Sequence, residues 1–341
     1  MEHVSVLIVC VVLAGLAFDF INGFHDAANS IATIVATRVL TPRQAVLWAA
    51  FFNVVAAFFF TTGVAKTVGS GLVALDAVTP TVILCGLIGA TLWGITTWRF
   101  GLPSSSSHAL LGGYAGSAMV NHAMHFGWRS FGEPILLAGW WKVLAFIVIA
   151  PTLGLFIAYT LKRGLDKLRK HRGRHAFSEA FYRKGQLVSS AFLSLMHGSN
   201  DAQKTAGIIT GALVAAGALP SFEIPSWVLF SSYGVMGLGT LMGGWRIVRT
   251  MGHRLTKLDA KGGVCAEGAA ALSILSATLF HLPISTTHVV TGSILGVGAA
   301  NDIKKVRWST GRRIAWAWLF TIPAAALVSG SVIALVNIFC G

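Results

Sequence analysis

The sequence predicts an all-α protein that crosses the membrane many times. Of its 341 residues, 55% are hydrophobic and 11% are charged, and the mean hydropathy is +0.71. A chain this apolar cannot cover itself with side chains that suit water. Backbone N–H and C=O groups find no water inside lipid, so each crossing is expected to be a helix. The alternating pattern of an outer-membrane barrel is absent from the sequence.

Ten apolar runs follow one another along the chain. They cover residues 4–36, 42–64, 79–98, 101–123, 138–161, 186–216, 225–245, 262–282, 283–301 and 311–338. The first run would make a helix about 50 Å long, against a hydrocarbon core of about 30 Å. We therefore expect this helix to break near Asn22 and Gly23, and the similarly long sixth run to break at the corresponding point.

Basic residues concentrate in the links between the apolar runs. The chain has 26 Lys and Arg against 12 Asp and Glu, and segment 162–184 alone holds nine of the basic residues. The positive-inside rule places this segment in the cytoplasm. Orientation and attraction to anionic lipid explain the charge better than nucleic-acid binding, so no nucleic-acid partner is expected. Before the first run there is no Lys or Arg, so no secretory signal peptide is predicted.

Two polar motifs occur twice, in the same order. A shift of 175 residues places Gly23 on Gly198 and Asp26 on Asp201. A shift of 180 residues places the run 102–108, LPSSSSH, on 282–288, LPISTTH. Two motif pairs almost in register indicate a duplicated chain.

The duplication divides the chain into residues 1–161, a basic cytoplasmic linker 162–184, and residues 185–341. Each half holds five membrane elements, and an odd number inverts the second half relative to the first, as in secondary transporters. Both termini are then predicted outside. Runs 79–98 with 101–123, and 262–282 with 283–301, are either paired crossings or re-entrant hairpins. We favour hairpins, because proline and hydroxyl groups at each turn suit backbone that lines a cavity.

Acidic residues inside the apolar runs are the first candidate site residues, because intramembrane carboxylates are expensive and usually functional. Asp26 and Asp201 occupy equivalent positions, which favours a shared midplane site over simple helix capping. Lys204 lies one turn from Asp201 and either neutralises it or contacts an anion. Asp19 and Glu267 are either proton or cation carriers or lie near lipid headgroups.

Two hydroxyl runs are the second set of candidates. Ser104 to Ser107 and Ser285 to Thr287 each precede a new helix, so hydroxyls and free N–H groups can together cradle an oxyanion. The alternative is that these side chains only bond to their own backbone. His108 and His288 end the two motifs, and they are expected to be packing or hydrogen-bonded groups and not metal ligands.

Donors for an anion beside carboxylates for a cation indicate an anion carried together with positive ions. A protonated oxyanion such as hydrogen phosphate can donate to Asp, whereas sulfate cannot. An intramembrane serine hydrolase using His108 or His288 is an alternative, disfavoured because both the hydroxyl run and the histidine are duplicated. A passive anion channel is a third, disfavoured because buried acids repel anions.

The motifs GFHDAANSIAT, HGSNDAQKTAGII, LPSSSSHALLGG and LPISTTHVVTGS resemble the paired signatures of the inorganic phosphate transporter (PiT) family. The resemblance extends along nearly the whole chain. It implies a cell-membrane symporter that imports phosphate, free or as a neutral metal-phosphate complex, together with Na+ or H+. It also implies inverted repeats, two re-entrant hairpins, alternating access and, in some members, a homodimer. No enzyme activity, resident cofactor or resident metal is implied.

The resemblance and the residues together give two sets of expected contacts. The residues expected at phosphate are Ser104, Ser105, Ser106, Ser107, Ser285, Thr286, Thr287, Asp26, Asp201, Gln203 and Lys204. Those expected to couple the cation are Asp26, Asn29, Asn22, Asn200, Asp201 and Glu267. The sequence departs from the family at His25, where Asn is frequent, and in its short central loop at 162–184.

Overall fold

A computed structural model of the chain describes residues 2–59, 62–172 and 177–340. These residues form twelve α-helices, and no β-strand occurs among them. The helices are α1 (Glu2–Ala36), α2 (Pro42–Val55), α3 (Gly63–Ser70), α4 (Pro80–Arg99), α5 (Ser106–Phe126), α6 (Leu137–Arg172), α7 (Glu179–Ala215), α8 (Ser226–Met242), α9 (Trp245–His253), α10 (Ala260–Leu279), α11 (Thr286–Asp302) and α12 (Trp308–Cys340). The prediction of an all-α fold is confirmed.

Several of these helices suit a bilayer by length and composition. Five qualify among the described residues: Val6–Ala36, Pro80–Arg99, Leu137–His171, Ala260–Leu279 and Trp308–Phe339. Large apolar side chains such as Leu153 and Phe320 are exposed on them, as expected of surfaces that face lipid. Each of the ten predicted runs overlaps one of the helices. Two short helices, α3 and α9, have no predicted run of their own.

The structure differs from the predicted breaks in α1 and α7, since both helices run continuously through their polar motifs. The glycines at these points have another use. A side chain on Gly23 would overlap the backbone of Met236 on α8, and one on Gly198 would overlap the backbone of Asn53 on α2. Small residues allow helices inside membranes to approach this closely. Gly23 and Gly198 therefore mark helix crossings where the sequence predicts interruptions.

The predicted linker 162–184 is mostly helical within the described residues, since α6 continues to Arg172 and α7 begins at Glu179. An ion pair of 2.7 Å joins Lys162 to Asp166 one turn along α6. Asp166 also pairs with Lys261 of α10. These contacts fix the polar end of α6 against α10. Residues 173–176 lie outside the described part of the chain.

Several helices pack in pairs that combine one helix from each half of the chain, and each such pair has a counterpart in which the two halves have swapped roles. Helix α1 packs on α8 and α7 on α2, and likewise α5 packs on α12 and α11 on α6. The glycines follow the same rule, because Gly112 of α5 lies against Ile322 and Gly292 of α11 against Pro151.

Two apolar clusters flank the polar motifs. Along α1, Phe18 belongs to one cluster and Ala27 to the other. Most of the polar residues of the first motif therefore lie between two apolar layers, where each polar group needs a partner.

Candidate functional site

The two hydroxyl-rich turns have the same local design. Ser105 is the N-cap of α5 and accepts from the N–H of His108 at 3.1 Å. Ser285 caps α11 in the same way, with the N–H of His288 at 3.3 Å. One hydroxyl in each turn therefore has a structural role. The other hydroxyls remain available for contacts beyond the turn.

The two turns meet. Lys204 of α7 donates to the hydroxyl of Ser107 and to the backbone carbonyl of Ile284, both at 2.6 Å. Ser107 itself donates to the same carbonyl at 3.4 Å. The rings of His108 and His288 lie 4.8 Å apart, edge to face. The N-termini of α5 and α11, each a positive helix end, therefore converge on one region.

Asp26 and Asp201 reach this region from different halves of the chain. Thr286 donates to Asp201 at 2.9 Å, and Thr287 donates to Asp26 at 3.4 Å. Asn29 donates to both threonine hydroxyls, at 3.2 and 3.0 Å. The first turn of α11 thus joins the acid of α1 to the acid of α7.

Each acid has a histidine beside it. The Nδ1 atom of His25 lies 2.7 Å from Asp26, and Nε2 of His197 lies 3.1 Å from Asp201. One oxygen of each acid and one nitrogen of His197 lie within 4.8 Å of one another. All three side chains are buried. Two carboxylates and an imidazole at this spacing can share a single cation.

Lys204 makes the strongest charge contact in the site. Its ammonium lies 2.5 Å from Asp201, and both side chains are almost inaccessible to solvent. With Ser107 and the Ile284 carbonyl, Asp201 completes three acceptors for the three N–H groups of Lys204. The lysine therefore neutralises Asp201 and also fixes both turns.

A family model described as the phosphate transporter family matches residues 22–329. The match includes both acidic motifs and both turns. The chain belongs to the phosphate transporter family.

Relatives of the transporter cover nearly its full length. A "probable low-affinity inorganic phosphate transporter" of Rhizobium meliloti (strain 1021) is 47% identical, over 95% of this chain and 94% of its own. A protein of Bacillus subtilis (strain 168) with the same description is 40% identical, over 99% of both chains. A solved structure described as "the sodium-dependent phosphate transporter" shares the fold, with a TM-score of 0.83 over 98% of this chain and 100% of its own, at 24% identity.

The family decides between the classes of function that the sequence leaves open. Its members and the similar proteins are phosphate transporters and not enzymes, so the serine hydrolase reading is set aside. The chain is a multi-pass membrane protein, and phosphate is the substrate of its family. The two histidines proposed for a hydrolase instead pack together, with His288 stacked on Trp318 at 4.0 Å.

Several predicted site residues of the transporter lie beside the centre. Ser104 donates to Thr97 at 2.9 Å and lies 3.4 Å from His25. Ser106 is buried in the first turn of α5. Asn200 donates to Thr278 at 3.1 Å, in α10.

Others lie farther away. Gln203 donates to the carbonyl of Ser199 and accepts from the N–H of Ala65 in α3. Glu267 accepts from Gln186 and Ser189 of α7 and from Thr33 of α1, two turns beyond Asp26. Asn22 is buried one turn before Asp26. The structure does not bring these three side chains to the centre.

Two residues in or beside the centre are missing from the predicted set. Thr97 accepts from Ser104 and lies 3.1 Å from His25, and no sequence signal marks it. His197 stands beside Asp201, and its Nδ1 atom lies 3.3 Å from the amide oxygen of Asn53. Its spacing of four residues from Asp201 is a signal for a shared helix face that could have identified it.

Two cavities adjoin the turns. A cavity of about 260 Å³ is lined by Lys142, His281 and the segment 282–284, whose last carbonyl binds Lys204. A smaller cavity of about 60 Å³ is lined by Gly101, Leu102 and Arg313 at the other turn.

Matching hydrogen bonds hold the two turns beside these cavities. Thr67 donates to the carbonyl of His281, and Thr250 donates to the carbonyl of Gly101, both at 2.9 Å. Each turn is thus fixed to one of the short helices α3 and α9.

Proposed function

We propose that the transporter is a cation-coupled symporter that imports inorganic phosphate through a site between its two halves. The observation that carries the proposal is the contact of Thr286 and Thr287 with acids from both halves, Asp201 and Asp26. One helix end that touches both acids lets a single ligand bridge the halves. That arrangement is what alternating access around a fixed site requires.

The groups around the two turns suit a protonated phosphate. The N-termini of α5 and α11 and the hydroxyls of Ser106 and Ser107 supply donors for its oxygens. Lys204 adds a positive charge. The carboxylate of Asp26 can accept the proton of hydrogen phosphate, and this contact discriminates against sulfate.

The coupling cation has acceptors in the same place. Asp26, Asp201 and His197 can share one ion, and the amide oxygen of Asn29 has no donor among the described residues. Na+ and H+ are the candidate coupling ions. A divalent metal that enters with phosphate as cargo would use the same three ligands.

The packing supports two inverted repeats, 1–161 and 185–341, on either side of the segment 162–184. Each of three features occurs twice, with the roles of the two halves swapped. They are the helix pairs, the glycine crossings at Gly112 and Gly292, and the hydrogen bonds from threonine that hold the two turns. Contact between the turns favours hairpins that enter from opposite faces of the cell membrane. The cavities of about 260 and 60 Å³ would then be the outer and inner approaches, with both termini outside.

Uptake of radiolabelled phosphate into proteoliposomes tests the proposal. An imposed Na+ or pH gradient should drive phosphate above equilibrium, with arsenate but not sulfate competing. Asp26→Asn and Asp201→Asn should each abolish this uptake, because each removes a charge that both ions need. Asp302→Asn is the matched control, since Asp302 is partly exposed at the far end of α11.

Two results would count against this mechanism. Uptake by the wild type that stops at equilibrium under every gradient would support a passive channel. If Asp26→Asn and Asp201→Asn insert normally and take up phosphate as fast as the wild type, the two carboxylates have no role in transport.

A further inference from the structure

A second polar cluster lies nearer the N-terminus of α1 than the central cluster does. Asp19 precedes Asp26 by seven residues, which is about 10 Å along a helix, and it is fully buried. One carboxylate oxygen accepts from Thr205 of α7 at 2.7 Å. The side chains of Asn22 and Ser232 also face this carboxylate. The cluster therefore joins α8 to α1 and α7, the helices that carry Asp26 and Asp201.

Three oxygens of this cluster lack a hydrogen-bond partner. They are Oδ2 of Asp19, Oδ1 of Asn22 and Oγ of Ser232, and none has a donor or acceptor within the described residues. Buried polar atoms are nearly always paired, so three unpaired oxygens in one cluster of side chains point to a ligand between them. Carboxylate and amide oxygens accept hydrogen bonds and bind cations, so this ligand is a cation or a hydrogen-bond donor.

The charge of the cluster also requires a partner. No Lys, Arg or His of the described residues forms an ion pair with Asp19, although the carboxylate is wholly inaccessible to solvent. An isolated buried carboxylate is costly unless a cation or a proton accompanies it. One negative charge matches one monovalent cation.

We propose that Asp19, Asn22, Thr205 and Ser232 form a Na+ site separate from the central cluster. The inference rests on the proposed function and names one of the coupling ions. A carboxylate, an amide carbonyl and two hydroxyls are an all-oxygen ligand set, which suits a hard cation and offers no nitrogen or sulfur for a transition metal.

The equivalent place in the other half does not have this ligand set. A shift of 175 residues carries Asp19 to Ser194, Asn22 to His197 and Thr205 back to Ser30. There the ring of His197 lies 3.5 Å from the hydroxyl of Ser30 and 3.3 Å from Asn53. A neutral serine replaces the acid, and a ring stands where the first half has an amide oxygen. The transporter therefore has this site in one half.

The site couples to phosphate through shared helices. An ion held between Asp19 of α1 and Thr205 of α7 fixes the packing of these helices two turns from Asp26 and one turn from Asp201. Because Asp26 and Asp201 must be correctly placed to bind one ligand, Na+ at this site favours phosphate binding at the centre.

Na+ binding to the purified full-length protein tests the proposal directly. Thermal stability is followed in detergent without phosphate as NaCl replaces choline chloride at constant ionic strength. Ser232→Ala removes one ligand and should raise the Na+ concentration at half-effect about tenfold, while Asp19→Asn should remove this response. Ser231→Ala is the matched control, because Ser231 bonds to the Val228 carbonyl of its own helix.

The central cluster could also bind Na+, so the Ser232→Ala measurement is repeated in an Asp26→Asn background. The same shift there assigns the response to the Asp19 site. If Ser232→Ala and Asp19→Asn both match Ser231→Ala, the proposal fails. A second outcome would also overturn the Na+ site. If thermal stability depends on pH and not on Na+, and Asp19→Asn abolishes the pH dependence, the cluster binds a proton.

Failure of the proposed function gives a different result. A wild type that shows the Ser232-dependent Na+ response but no gradient-driven phosphate uptake would refute coupled symport while supporting the Na+ site. Conversely, the wild type could show gradient-driven phosphate uptake whose Na+ dependence is the same in Ser232→Ala. That result would support symport and refute the Na+ site.

Discussion

Lys204 either neutralises Asp201 or also contacts phosphate, and a double-mutant cycle separates the two roles. The Lys204 ammonium and the Asp201 carboxylate are 2.5 Å apart and buried. Lys204→Met removes the positive charge and leaves Asp201 unpaired. Breaking a buried ion pair in this way costs about 3–5 kcal/mol of stability. Lys204→Met combined with Asp201→Asn removes both charges and should restore most of that loss.

Phosphate binding distinguishes the roles that stability cannot, because Asp201→Asn alone is already expected to abolish uptake. If Lys204 contacts the anion, the double variant recovers stability but binds phosphate more weakly than Asp201→Asn alone. The assays are denaturation in detergent and phosphate binding to the purified variants at matched protein levels. Lys162→Met is the matched control, because its partner Asp166 is partly exposed and keeps Lys261. We expect this change to cost no more than about 1 kcal/mol.

Two outcomes would refute the reasoning. A Lys204→Met variant as stable as Lys162→Met would show that the buried pair is not the source of stability. Phosphate binding by the double variant equal to that of Asp201→Asn alone would show that Lys204 only neutralises Asp201.

Three further predictions concern crossings and single contacts. Gly23→Val should prevent folding, because its side chain would overlap the Met236 backbone, whereas Gly234→Val on the same helix pair meets open space; the yield of monodisperse protein decides. Thr287→Val should raise the KM for phosphate about tenfold by removing contacts to both Asn29 and Asp26, and unchanged uptake kinetics would exclude this role. Glu267→Gln should alter the cation dependence of uptake while phosphate binding persists, and an unaltered dependence would leave it a structural acid.

The sequence predicts the membrane helices and the meeting of the two acids well. Apolar runs of about 20 residues and a duplicated motif can both be recognised from the sequence alone. From them follow ten of the twelve helices and the convergence of Asp26 and Asp201.

What the sequence does not predict depends on tertiary contacts. Gly23 is typical of a helix break, and only the approach of Met236 shows that it is a crossing. Helix α9 reads as a basic link, and its place is fixed by the bond from Thr250 to the opposite turn. Thr97 looks like any threonine within an apolar run, and only its contacts with His25 and Ser104 in the folded chain mark it as part of the site.

The charges at the centre constrain how phosphate can be carried. The formal charges of the two acids, Asp26 and Asp201, and of Lys204 sum to −1. An uncompensated charge inside the protein costs several kcal/mol, so the loaded site should be close to neutral. The cargo must then bring one net positive charge, for example dihydrogen phosphate with two Na+ ions or two protons.

This balance determines how the membrane potential acts. Moving one positive charge inward gains about 2.3 kcal/mol per 100 mV when the inside is negative, whereas free phosphate would move against the field. An inside-negative potential in proteoliposomes should therefore accelerate phosphate uptake, and Lys204→Met, which makes the site more negative, should make the remaining uptake more sensitive to the potential. Electroneutral uptake by the wild type would refute this charge balance, because it requires a neutral cargo in a site that still holds an unpaired carboxylate.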